Sequence, residues 1–297
     1  MPCGLFAQAL RCRKPAGKWS AVGDPATLCR LATCNPQGEK LKQHESIDTL
    51  FDAVALRLAK ARRVLFITGA GISADSGLPT YRGVGGLYND ELTEEGLRIE
   101  EALSAEVLAQ RPDITWRYLA HIADNCRGAL PNDAHRAIAR LEERLDKVLV
   151  FTQNIDGLHC QAGSSDVIEI HGNLQHLLCT CCDYRGPTGD LRGRALPPVC
   201  PECGGVLRPE VVLFGEALPE EAMERLIDAI EEGFDMVFTI GTSSVFPYIV
   251  EPVLWAAESA IPTVEINPQV TTLSRVVDYH LPCGAAAAMQ ALMARLE

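Results

Sequence analysis

The chain has 297 residues, 47% of them hydrophobic, and a formal net charge of -12. That length holds one large domain or two small ones with a sizeable core, and the acidic balance argues against a general nucleic-acid binder. No run approaches the about 18 apolar residues that a membrane-spanning helix needs.

Twelve cysteines, four of them in two C-x-x-C pairs, point to bound metal rather than a secreted disulfide framework. They also point to a reducing compartment, here expected to be the cytoplasm.

Residues 1–45 carry Arg11, Arg13, Lys14, Lys18, Arg30, Lys40 and Lys42 against Asp24, Glu39 and Glu45, with no sustained periodicity. They read as a disordered extension, with an organellar transit peptide as the alternative. A signal peptide is not expected, because Leu5 to Leu10 is too short and the charge follows it. Ser46 then caps a helix with apolar residues Ile47, Leu50, Phe51, Val54 and Leu58 at helical spacing.

Arg63–Ile67 is a β-branched apolar run that reads as a buried parallel strand. It stops at Gly69, and Gly69, Gly71 and Ala74 match G-x-G-x-x-G/A. The pattern places a phosphate on free amides at a helix start, with the third small residue packing helix against strand. The usual second strand with its acidic end is missing, since Val84–Asp90 is a glycine-rich loop. A dinucleotide's adenosine ribose would have to be read elsewhere.

Residues 98–125 read as helices, and Pro131-Asn132 opens another with Ala134, Ile138 and Leu141 on one face. Strands follow at Lys147–Phe151, Val167–Ile170, Met236–Ile240 and Thr263–Ile266, with helices near Glu220–Glu231 and Tyr248–Glu258. Alternation of this kind means an α/β fold with a mostly parallel sheet, whose ligands bind beyond the carboxyl ends of the strands.

Those ends are polar: Thr152-Gln153-Asn154-Ile155-Asp156, His171-Gly172-Asn173, Gly241-Thr242-Ser243-Ser244 and Asn267-Pro268. Together they line one crevice, with Asn267 a candidate for the ribose. His171 is the ionisable group near neutral pKa that a strand delivers there, which makes it the candidate general base. His135, His159 and His176 compete, and His135 lies within a helix, where packing or capping is expected.

Cys179-x-x-Cys182 and Cys200-x-x-Cys203 have the spacing of a zinc ribbon, two knuckles closing a tetrahedral four-sulfur site. Such a site has no open position, so its role is structural. An iron–sulfur cluster is the alternative.

The ordered set Gly69-Ala70-Gly71-Ile72-Ser73, Gly77-Leu78-Pro79-Thr80-Tyr81-Arg82-Gly83, Thr152–Asp156, His171-Gly172, the paired C-x-x-C, Arg208–Glu216, Gly241-Thr242-Ser243 and Ile266-Asn267-Pro268 resembles the sirtuins, NAD-dependent protein-lysine deacylases. The resemblance covers about residues 46–297. It implies a Rossmann-like domain (46–80, 128–178, 208–297) and a small domain made of a helical insert (81–127) and a zinc ribbon (179–207). NAD and one structural zinc are the implied cofactors, and acylated-lysine proteins the implied partners. No membrane and no specific nucleic acid are expected as partners, and the protein is expected to be a monomer.

The resemblance assigns the pyrophosphate to Gly69, Ala70 and Gly71, with Ser73 beside them, and the mobile cofactor loop to Tyr81 and Arg82. Gln153, Asn154 and Asp156 would line the ribose and nicotinamide pockets. Gly241, Thr242, Ser243 and Asn267 would bind the adenosine half, and Cys283, Gly284 and Ala285 would touch adenine. Val212, Phe214 and Gly215 would form the acyl-lysine tunnel and pair in β fashion with substrate backbone.

In the implied reaction the acyl oxygen attacks the nicotinamide ribose and nicotinamide leaves. His171 accepts a proton through the ribose hydroxyls, and the products are lysine and O-acyl-ADP-ribose. Asn154 and Asp156 are counted with His171 as catalytic.

The Thr80-Tyr81-Arg82-Gly83 loop is closest to the desuccinylase branch, which also uses a Tyr and an Arg three residues on. Alignment on Pro131-Asn132 and His135–Ile138 puts Leu119 and Ile122 there, with Arg117 or Tyr118 intruding if the register slips. Acetyl or a longer apolar acyl group is therefore expected over succinyl. Mono-ADP-ribosyl transfer and a silent NAD or ADP-ribose sensor are the rival readings.

Overall fold

The computed structural model describes residues 46–80 and 92–297. Helix α1 (Ile47–Leu58) opens it, and the Ser46 hydroxyl accepts from the Thr49 amide at 3.2 Å as its cap. Strand β1 (Arg63–Thr68) follows, then a seven-residue 3₁₀ segment (Ala70–Ser76). Next come α2 (Ile99–Ala102), α3 (Ala105–Gln110), α4 (Pro112–Cys126) and α5 (Asp133–Leu141). The chain continues through β2 (Lys147–Thr152), α6 (Leu158–Ala162) and β3 (Val167–Glu169).

Strands β4 (Gly172–Cys179), β5 (Arg185–Pro187) and β6 (Leu207–Val211) form a separate three-stranded antiparallel sheet. The last part holds α7 (Glu220–Glu232), β7 (Met236–Ile240), α8 (Pro247–Glu258), β8 (Thr263–Ile266), β9 (Tyr279–Leu281) and α9 (Ala285–Leu296).

The large sheet is wholly parallel, in the order β3-β2-β1-β7-β8-β9. Its central strands are buried on both faces, which is why they read as unbroken apolar runs rather than alternations. Phe66 of β1 and Phe238 of β7 pair in register and stack at 4.9 Å between ring centroids. One apolar core packs α1, α5 and α9 on one face, and a second packs α7 and α8 on the other. A third core joins α3 and α4 to the small sheet. The strand order reverses between β1 and β7, the switch point at which open α/β sheets bind ligands.

The sequence-based boundaries cut through the small sheet, because β4 starts at Gly172 and β6 ends at Val211. Gly172 makes the crossover possible: it sits at φ 70, and a Cβ there would stand 2.0 Å from the Glu210 carbonyl oxygen. Strand β9 and helix α9 had no counterpart in the sequence reading. The first is three residues long, and the second begins in a run of alanines whose burial only packing reveals. Among the described residues no helix is long and apolar enough to cross a membrane.

Candidate functional site

A cleft of about 1220 Å³ opens over the carboxyl ends of β1, β2, β7 and β8 and runs toward the small sheet. Its walls include Gly69, Ala70 and Gly71 after β1, Gln153 and Asn154 after β2, and Gly241, Thr242 and Ser243 after β7. Asn267 after β8, His171 between the sheets, and Val212, Phe214 and Gly215 after β6 complete them. Ser73 and Asp156 line a small adjoining recess with Ala70, Asn154, Asn125 and Cys126. Tyr81 and Arg82 lie outside the described residues.

The glycine turn works differently from the expected phosphate-binding helix start. The Gly69 amide donates to the Ile240 carbonyl at 3.1 Å and the Gly71 amide to the Gly241 carbonyl at 2.9 Å, so neither is free. The segment that follows is a short 3₁₀ turn rather than an α-helix, and Ala74 is exposed on the cleft wall while Ile72 does the packing. The glycines instead let two loops touch. A Cβ on Gly71 would lie 2.6 Å from the Gly241 Cα, and one on Gly241 would lie 2.4 Å from the Ile72 nitrogen.

Next to this turn the polar side chains form a chain of bonds. The Asn154 side-chain amide donates to the Gly69 carbonyl at 3.1 Å and to Ser73 Oγ at 3.2 Å. Ser73 Oγ donates to Asp156 Oδ2 at 2.7 Å, and the Leu158 amide donates to Asp156 Oδ1 at 2.9 Å. Burial raises the Asp156 pKa above the ordinary value, against these hydrogen bonds.

His171 is the one histidine on the cleft wall among the described residues. Its Nδ1 lies 2.9 Å from the Gln153 carbonyl oxygen and its Nε2 lies 2.8 Å from the Tyr248 hydroxyl. A carbonyl only accepts, so Nδ1 carries the proton and Nε2 keeps its lone pair. Burial lowers the pKa, with the Gln153 carbonyl opposing. The result is a neutral imidazole with its basic nitrogen aimed into a cleft.

The three competing histidines are elsewhere. His135 is fully buried and accepts from the Asn132 amide at 3.3 Å, the capping role expected of it. His159 is buried behind β1, 2.9 Å from Thr68 Oγ1. His176 lies on β4, near Glu210.

Two sequence expectations need correction. Of Cys283, Gly284 and Ala285 only Gly284 reaches the cleft. Ala285 is buried in the core and Cys283 packs against it, because α9 starts there. The Val212 and Phe214 amides are also not open to a substrate strand. They donate to the His171 carbonyl at 2.9 Å and the Leu103 carbonyl at 3.0 Å. Both side chains still line the cleft.

Leu119 and Ile122 of α4 face the cleft together with Leu103 and Leu213. The register alternative fails: Arg117 pairs with Glu94 and Glu95, and the Tyr118 hydroxyl donates to Glu95 at 2.8 Å. Tyr248 had only a place in a helix from the sequence. Nothing local reveals its bond to a residue 77 positions away.

The sulfurs of Cys179, Cys182, Cys200 and Cys203 lie within 4.8 Å of one another. Neighbouring pairs stand 3.5 Å and 3.7 Å apart. A tetrahedron with metal–sulfur bonds of about 2.3 Å has edges of about 3.8 Å, so the set fits one zinc ion. The four ligands leave no position for a reactant.

The Sir2 family model matches residues 69–247. The NAD-dependent protein deacylase 2 of Pseudomonas syringae pv. tomato is 50% identical over 245 residues, covering 82% of this chain and 98% of that protein. A solved complex of a Sir2 homologue with NAD aligns with a TM-score of 0.74 at 34% identity, over 82% of this chain and 93% of that one. A Sir2 structure with a deacetylated p53 peptide and 3′-O-acetyl ADP-ribose aligns with a TM-score of 0.74 at 28% identity, over 82% and 97%. The glycine turn at the switch point, the His171 cleft and the four-cysteine cluster thus sit in a fold and sequence shared with these proteins, and the chain belongs to the Sir2 (sirtuin) family.

Proposed function

We propose that this protein is an NAD-dependent protein-lysine deacylase acting on acetyl or longer apolar acyl groups. The observation that carries the reading is His171, held as a neutral base at the switch-point cleft by the Gln153 carbonyl. The cleft wall fits NAD: glycines whose missing side chains let a ligand approach the backbone, the side-chain amides of Gln153, Asn154 and Asn267, and the hydroxyls of Thr242 and Ser243. No lysine or arginine lines the cleft among the described residues. Hydroxyls and amides would therefore hold the diphosphate, with Arg82 the candidate cation.

When bound, NAD supplies the electrophilic ribose carbon, nicotinamide as leaving group and the hydroxyls that receive the acyl group. Gly69, Ala70, Gly71 and Ser73 would hold its diphosphate side, with Gly241, Thr242, Ser243, Asn267 and Gly284 on the adenosine side. Gln153, Asn154 and Asp156 would orient the nicotinamide riboside. His171 Nε2 would take the proton from a ribose hydroxyl once the Tyr248 O–H that it accepts in the free protein turns away, and its Nδ1–H would stay on the Gln153 carbonyl throughout. Val212, Phe214 and the apolar wall exclude water from a weak acyl nucleophile, for which orientation matters most.

The acyl preference rests on Leu119 and Ile122. An acidic acyl group buried against them would lack both a cation and a hydroxyl donor. The test is mass spectrometry of acetyl-, octanoyl- and succinyl-lysine peptides with NAD, with His171→Ala as control. Acetyl or octanoyl should leave as O-acyl-ADP-ribose, succinyl should persist, and the variant should be inactive. Faster loss of succinyl overturns the specificity. ADP-ribose on the protein without deacylation selects the transferase reading. Free thiols among the described residues suit a reducing cytoplasm, the compartment we assign.

A further inference from the structure

We infer that Tyr248, on the first turn of α8, is a positioning residue for His171: its hydroxyl aligns Nε2 and supports the imidazolium that forms when His171 takes a proton. The inference takes the identity of the reaction from the deacylase reading, while the contact itself belongs to the free protein.

Since Nδ1 donates to Gln153, the bond at Nε2 runs from the Tyr248 hydroxyl to the nitrogen lone pair at 2.8 Å. Once Nε2 is protonated the direction reverses, and the tyrosine oxygen accepts. A hydrogen bond with an ionised donor is about twice as strong as a neutral one, so Tyr248 favours the protonated state over the neutral one. It opposes the burial that otherwise weakens this base.

The placement is built by the loop between β7 and α8. Ser244 holds φ 52, a left-handed conformation unusual for a non-glycine residue. The Ser244 amide donates to Thr242 Oγ1 at 3.1 Å, and the two hydroxyl oxygens lie 2.8 Å apart. Beyond it, Phe246 and Tyr248 stack at 5.4 Å between centroids with 14° between their planes. Both meet the His171 ring edge-on, at 6.5 Å and 6.0 Å. A strained loop and a stacked ring thus fix the hydroxyl against the imidazole.

The other ionisable side chains on the cleft wall are Asp75, Glu216, Glu220, Glu224 and Glu251. Burial and the Gln153 carbonyl are the causes of the His171 shift, and the role of Tyr248 is argued from its 2.8 Å contact with Nε2.

The experiment is an NMR titration of the imidazole signals in the free protein, wild type against Tyr248→Phe, with His171→Gln assigning the resonance. Loss of one oxygen from a half-buried ring keeps the fold, which thermal melting checks. The acid dissociation constant of His171 should rise by about threefold or more. The acid limb of kcat/KM should move to lower pH by the same amount and its plateau should fall by about tenfold, with peptide KM little changed. An unmoved His171 titration in a folded variant overturns the inference, whether or not activity falls. If the titration shifts but the wild type deacylates no peptide, the contact stands and the deacylase reading fails.

Discussion

The central residue is a histidine whose two nitrogens have different partners. Because burial lowers its pKa, His171 stays neutral and competent through physiological pH. In the proposed role His171 works only as the neutral base, so the acid limb of kcat/KM should fall below the ordinary histidine value of about 6.5, read from initial rates across buffers. His171→Ala should lower kcat by about 10²–10⁴ while calorimetry still finds NAD bound. Two other histidines make stability depend on pH. His159 is held down to about 3 and His135 to about 4, both by burial first. His135 accepts at Nδ1, so its N–H is on Nε2. Thr68 donates to Thr152, so His159 Nε2 must donate to Thr68. Their remaining nitrogens, the N–H at His135 Nε2 and the lone pair at His159 Nδ1, are buried without a hydrogen-bond partner, and the ring centroids lie 4.9 Å apart, edge to face. The unfolded chain protonates both near 6.5, so their contribution is fully present above that pH and is lost as pH falls toward 4 and 3. The melting temperature should therefore drop between pH 6.5 and 4, and His159→Asn should flatten that slope. An equal slope in the variant would show that carboxylates dominate.

At the scale of elements, the turn after β1 and the turn after β7 are one unit. Gly71→Ala would push a methyl group to 2.6 Å from the Gly241 backbone, which cannot yield as a side chain can. We expect a loss of about 1–3 kcal/mol in stability by denaturant titration and a larger proportional loss in NAD affinity. Helix α4 is the element we propose to set the acyl preference. Its residues Leu119 and Ile122 reach the cleft while Arg117 and Tyr118 are tied to Glu95. The double variant Leu119→Tyr, Ile122→Arg supplies the missing donor and cation, and should raise the succinyl-to-acetyl ratio of kcat/KM at least about tenfold, a charged bond being worth about 1.5–3 kcal/mol. An unchanged ratio would place the acyl pocket elsewhere in the cleft.

On the scale of the whole molecule, the metal cluster is joined to the cleft through β6 and the third apolar core, in which Trp116 is the largest side chain. Trp116 of α4 is fully buried and donates from its indole nitrogen to the Leu207 carbonyl of β6 at 2.7 Å. Strand β6 leads into the cleft wall at Val211–Gly215. Cys200→Ser, or zinc removal by a chelator, should loosen the small sheet, shift tryptophan emission to longer wavelength and abolish deacylation. Most far-ultraviolet circular dichroism should survive, because the large sheet has its own two cores. A variant that stays active without metal would detach the ribbon from function.

The local chemistry of the sequence carried much of this protein. The apolar runs of β1, β2, β7 and β8 were legible because strands buried on both faces show no polar interruption. The cysteine spacing was legible because metal geometry constrains it, and His171 because it directly follows a strand. The tertiary structure decided what depends on approach between distant segments. The G-x-G pattern could not tell free amides from amides spent on Ile240 and Gly241, since β7 lies some 170 residues further along the chain. The boundary at His171-Gly172 was hidden because β4 pairs with β6 across the metal module. Tyr248 was invisible as a partner, because a hydroxyl on a helix acquires a role only when a strained loop folds it onto the base.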